Sequence, residues 1–104
     1  MSWRLDFRPE VEDDVAEAAA WYEAREPGLG SDFVREVFEV WNRLARDPRT
    51  GAKGGTRNVV RWLYPQRFPY KVIYRIDESS MSVLVVTVLH AARHDRKWRR
   101  RDDS

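Results

Sequence analysis

The 104-residue chain has no cysteine. That excludes a disulfide framework and thiolate chemistry, and it fits a reducing compartment. It also has no apolar run long enough to span a bilayer, and the opening MSWRLDFRPE lacks the apolar stretch of a secretory signal. The expectation is a soluble, cytoplasmic protein with no membrane partner. Glycine and proline number five each, too few for a linker-rich or low-complexity chain. One domain over 1–104 is therefore expected, with a basic tail from about residue 95. Histidine is scarce as well. His90 and His94, even with Asp95, do not have zinc-ligand spacing, so neither a metal nor another cofactor is expected. The glycines around Lys53 lack the spacing of a phosphate loop and do not open a helix.

What the chain does have is charge, unevenly placed. Residues 1–50 carry twelve acids and seven arginines, a balance of −5; residues 51–104 carry twelve bases and five acids, a balance of +7. A basic half implies an anionic partner, nucleic acid being the commonest. The plainer readings are attraction between the two halves, or a tail that keeps the chain in solution.

Residues 3–7 alternate, with Trp3, Leu5 and Phe7 on one side, as in a half-buried strand. Pro9 suits a first helical position, and Glu10, Glu12 and Asp13 suit the positive end of a helix dipole. Val11, Val15, Ala18, Ala19 and Tyr22 then recur at helical spacing, predicting a helix from Pro9 to Arg25. Pro27-Gly28-Leu29-Gly30 breaks it, and Ser31 is a candidate cap for a second helix. That helix carries Phe33, Val34, Val37, Phe38, Trp41, Leu44 and Ala45 and stops at Asp47-Pro48. Residues 49–55 read as a connector. From Thr56 the period becomes two, giving strands over 56–63, 70–77 and 82–89. The last strand is apolar on both faces and should be central. The fold class is α+β: a strand, a helical hairpin, then a three-stranded antiparallel meander, forming one four-stranded sheet with the helices on one face.

Alternation also assigns faces. Lys71 and Arg75 share one side of their strand, and pairing is expected to bring Arg57 and Arg61 beside them, away from the helices. His90 and Arg93 leave the neighbouring strand's end, and Arg67 lies at the rim. Such a face neutralises phosphates and stabilises charge that builds on a phosphate during attack. A histidine beside it can act as acid or base, although a histidine at a strand end also commonly bonds a nearby carbonyl. Trp98, set among Lys97, Arg99 and Arg100, is either an anchor that folds the tail back or a stacking platform for a base.

Three runs, "RPEVEDDVAEAAAWYEAREPGLGSDFVREV", "RFPYKVIYRID" and "VLHAARHDRKWRRR", resemble the RelE/ParE superfamily of type II toxin–antitoxin toxins. The likeness covers about residues 3–99 and is greatest to the ParE-like branch, the plasmid-stabilisation proteins. It implies the RelE/ParE fold and a growth inhibitor neutralised by an antitoxin encoded next door, in a hetero-oligomer. ParE-like members poison DNA gyrase and have no recognised nuclease residues. RelE-like members cut mRNA on the ribosome. On that second pattern the catalytic set would be Arg61, Lys71, Arg75, His90 and Arg93, with Lys71 standing where arginine is usual. Arg57, Arg67, Lys97 and Trp98 would bind nucleic acid or another target. Trp21, Tyr22, Leu29 and Trp41 would bind the antitoxin. A degenerate module that only binds its antitoxin is the remaining alternative.

Overall fold

The structure is a computed structural model that describes residues 2–54 and 60–90, with the backbone alone for 52–54. It comprises β1 (Arg4–Phe7), α1 (Glu10–Arg25), α2 (Leu29–Arg46), a 3-10 turn (Pro48–Thr50), β2 (Ala52–Gly54), β3 (Val60–Leu63), β4 (Tyr70–Asp77) and β5 (Ser82–His90). The strands form one mixed sheet in the order β1-β5-β4-β3-β2. β1 runs parallel to β5 and the other pairings are antiparallel. The expected α+β architecture is present, with the helical hairpin on one face. One element is additional. Ala52–Gly54, expected as part of a connector, pairs with Trp62–Val60 as a fifth, outer strand. Its Ala-Lys-Gly sequence has little strand propensity, and the pairing with β3 overrides that preference. None of the described helices is long and apolar enough to cross a membrane.

The cap of α2 departs from expectation. The helix begins at Leu29, so Ser31 falls inside its first turn. Gly28 is the capping residue, with a φ of 89°, a conformation that suits glycine. The free N–H groups are taken by a side chain from the preceding helix: Glu23 Oε2 accepts from Gly28 N at 2.9 Å and Oε1 from Gly30 N at 3.0 Å. One carboxylate thus satisfies the N-terminus of α2 and ties the two helices together.

The helix-side core is built from Val11, Ala18 and Tyr22 of α1, Phe33, Val37, Val40 and Leu44 of α2, and Val72, Tyr74, Val83, Val85 and Val88 of the sheet. Tyr22, Phe33, Phe68 and Tyr70 form an aromatic cluster at one end, with ring centroids 4.7–5.9 Å apart. A second, smaller cluster lies on the outer face: Val60, Ile73 and Val86, bordered by Trp62, Leu84 and Leu89. β5 is central and covered on both faces, as its composition implies. A bulge falls within it. Ile73 pairs with Thr87 and Tyr74 with Val85, which leaves Val86 as the extra residue. Beyond Phe7, β1 no longer covers β5. There Asp14 of α1 accepts from Thr87 Oγ1 at 2.7 Å and Val88 N at 3.3 Å.

Two further ties hold the connections. The Tyr74 hydroxyl, fully buried, donates to Pro48 O at 2.6 Å. The β3–β4 connection is pinned to α2 by buried Glu36, whose Oε1 accepts from Arg67 N at 2.8 Å and whose Oε2 accepts from Arg67 Nε.

These contacts give three expected outcomes. A methyl group at Gly51 would sit 2.0 Å from the Tyr74 hydroxyl oxygen, so Gly51→Ala should lower stability in urea unfolding by about 3 kcal/mol. Glu36→Ala strands the Arg67 main-chain N–H and should lower stability in the same assay by about 2 kcal/mol. Burial raises the Tyr74 and Tyr22 hydroxyls above their ordinary values. The folded state then holds these protons more tightly than the unfolded chain. Stability from this source is complete below pH about 10 and falls as pH rises through that value and on through the folded-state values. Thermal melts across that range should show the loss, reduced in Tyr74→Phe.

Candidate functional site

β4 and β5 place the cations. On the outer face, Lys71 and Arg75 flank Ile73, and across the pairing they face Leu89 and Leu84 of β5. Trp62 of β3 lies opposite Ile73, and Lys71 Nζ stands 5.6 Å from the centre of its ring. All five side chains are half-buried. The outer face is therefore a mixed surface of one tryptophan, two leucines and two cations laid over the Val60–Ile73–Val86 cluster.

Arg61 is not part of it. Its Cα partner is Tyr74, which belongs to the helix-side core, so Arg61 points to the helix side of the sheet. There Nη1 donates to Arg49 O at 3.0 Å and Gly51 O at 3.1 Å. This corrects the grouping expected from alternation. Alternation fixes the two faces of each strand, but register decides which face of β3 meets which face of β4.

His90 is displaced for a related reason. Val86 takes up one residue in the bulge, so beyond it the faces of β5 change phase: Val83, Val85 and Val88 lie on the helix side, Leu84, Val86 and Leu89 on the outer side. His90 pairs with Tyr70, and their rings meet edge to face at 5.3 Å. It stands on the opposite side of the sheet from Lys71 and Arg75.

Arg67, expected at a target-binding rim, is held against α2 by Glu36 and by Asp32 at 3.4 Å. The bond to Glu36, then that to Asp32, raises its already high pKa. It acts as a clamp between connection and helix. Arg57, Arg93, Lys97 and Trp98 lie outside the described residues.

The residues expected to meet an antitoxin differ among themselves. Trp21 is half exposed, and the Arg25 guanidinium stacks on its ring at 3.7 Å. Tyr22 is buried in the aromatic cluster, which leaves little of it for a partner. Leu29 packs against the core, and Trp41 meets Phe7 edge to face at 5.1 Å. Phe7, Phe38 and Tyr64 are exposed aromatics that the sequence reading did not assign to a partner surface. In helical numbering Phe38 belongs to the same apolar stripe as Trp41, and nothing in the sequence shows that this part of the stripe stays uncovered.

Set beside known proteins, the fold is shared with toxins of one superfamily. The P. aeruginosa chromosomal ParDE structure matches with a TM-score of 0.71 at 16% identity, over 86% of this chain and 96% of that one. The isolated E. coli toxin RelE matches at 0.63 and 16% identity, over 98% of each chain. The M. tuberculosis RelBE2 toxin–antitoxin complex matches at 0.58 and 21% identity, over 86% of this chain and 99% of that one. No curated protein sequence matches. The sequence matches the family described as the ParE toxin of the type II toxin–antitoxin system, parDE, over residues 5–95. The chain belongs to the ParE toxin family of type II toxin–antitoxin systems.

Proposed function

We propose that this toxin arrests growth in the cytoplasm by acting on DNA gyrase, and that its antitoxin, encoded next door, holds it inactive in a hetero-oligomer. One observation carries the choice of target. Metal-free cleavage of RNA needs phosphate-binding cations and a proton-transfer group around a single phosphate, within hydrogen-bond reach. Here Lys71 and Arg75 stand on the outer face, while Arg61 and His90 stand on the helix side. Arg61 is further committed to two carbonyls, and Arg67 to two carboxylates. The described residues do not gather a nuclease set. Trp62, Lys71, Arg75, Leu84 and Leu89 instead offer a surface suited to holding a macromolecule. Arg57, Lys97 and Trp98 are assigned to the same role by the family likeness alone.

A second reading, ribosome-dependent mRNA cleavage, draws on the structural likeness to E. coli RelE and on Trp62 beside Lys71 as a base platform. Two assays separate them. Purified protein should inhibit supercoiling by gyrase and trap cleaved DNA, with Lys71→Ala/Arg75→Ala at least about tenfold weaker, a typical loss for central interface contacts. Translating ribosomes should yield uncut message. Full supercoiling in the presence of the toxin would overturn the gyrase reading, and cut message that disappears in the double variant would establish the other.

A further inference from the structure

The outer face of the sheet has an apolar centre and a charged border. Val60, Ile73 and Val86 form its floor and are buried. Trp62, Leu84 and Leu89 stand half-buried around them. Lys71 lies opposite Leu89 and Arg75 opposite Leu84. The two cations are four residues apart on β4, about 13 Å along an extended strand. Asp6 of β1, on the other side of Leu84, is paired with Arg4 at 3.1 Å. Arg75 is engaged within its own chain, but a guanidinium has five N–H donors and can share them with a further carboxylate.

An apolar centre inside a charged border is the anatomy of a surface that meets protein. The pairing of β4 decides what form that protein takes. From Val72 to Arg75 the strand pairs on both sides, with β3 and β5. The middle of the face therefore offers side chains and no main-chain partner. A polypeptide laid there loses water from its own N–H and C=O groups. A helix brings those groups already paired, and an extended segment does not.

We propose that the outer face docks an amphipathic helix of the gyrase polypeptide, lying along β4 with apolar side chains on Trp62, Leu84 and Leu89 and carboxylates at Lys71 and Arg75. The inference rests on the gyrase reading and names what the toxin touches there: protein, not the DNA that the enzyme holds. Carboxylates seven or eight positions apart on a helix are separated by about 11–12 Å, which matches the two cations. Apolar residues three and four positions after the first acid then face the centre.

Nucleic acid is served less well by this face. Bases stack on open rings, whereas the Trp62 ring has the Lys71 ammonium 5.6 Å from its centre. The leucines give a base nothing to stack on. Arg61 is turned to the helix side and holds two carbonyls there. The chain's own acidic helix, in a second copy, is no substitute: the apolar residues of α1, Val11, Ala18 and Tyr22, are buried in its core.

The test is calorimetric binding of the full toxin to gyrase holoenzyme without DNA, to the same enzyme with DNA, and to the DNA alone. Binding to the enzyme should be as tight without DNA as with it. Leu84→Gln and Leu89→Gln should each weaken it about tenfold, with thermal melts showing that each variant is folded. Should either leucine variant fail to fold, Lys71→Glu/Arg75→Glu alters only the border and should weaken binding at least about tenfold. Hydrogen exchange on gyrase should slow in a helical peptide that carries acids seven or eight positions apart. Binding that needs DNA, binding to DNA alone as tight as to the enzyme, wild-type affinity in the folded variants, or protection confined to a strand or loop of gyrase overturns the docked helix, while inhibition of supercoiling survives. A toxin that neither binds gyrase nor inhibits supercoiling overturns the gyrase reading and the docked helix with it.

Discussion

The pairing of β4 with β5, and the single extra residue at Val86, governs what this molecule can present. The two strands form the longest ladder in the sheet, running from Tyr70 opposite His90 to Asp77 opposite Ser82. Tyr74 and Val85 lock one half of that ladder against the helices, and Ile73 and Val86 fill the outer face. Without the bulge, the strand's end would keep the phase set at Val83, and His90 would emerge on the outer face with Lys71. With it, the histidine joins the aromatic cluster instead. A one-residue slip in a single strand thus separates the groups that a ribonuclease would need together.

Much of this architecture was legible in the sequence. Both helices follow from apolar spacing at 3.6 residues and from Pro9 and Asp47-Pro48 as punctuation; the first starts one residue later than expected and the second three residues earlier. The strands of the meander follow from period two. The features that were hidden share a physical cause: each depends on a partner distant in sequence. Ser31 is a good cap by type, but Glu23 from the other helix already holds the N–H groups of Gly28 and Gly30. The bulge leaves no trace because Val83 to Leu89 is almost uniformly apolar, so there is no alternation in which a change of phase would show. Arg61 looked like a surface cation because the carbonyls it binds, those of Arg49 and Gly51, belong to a turn defined only by folding.

The molecule divides its surfaces accordingly. The outer face offers Trp62, Lys71 and Arg75 on a rigid, doubly packed sheet. The edge at β1 and the uncovered stripe of α2 lie elsewhere, joined by Phe7 on Trp41. Between them, Asp14 closes the part of β5 that β1 does not reach. An acid turned onto a strand edge discourages further pairing there.

The parallel pairing of β1 with β5 has a consequence for biosynthesis. Arg4 finds its partner at Ser82 and Phe7 finds Val85, so the first strand made must wait for the last. Closing so long a loop is the slowest kind of contact to form, whereas the helical hairpin and the meander are local. A ribosome partway through the message therefore carries a nascent chain with its hairpin formed and its sheet unfinished. The edge at β1 is therefore the last part of the sheet to be completed, and it exists only once β5 has been made and paired.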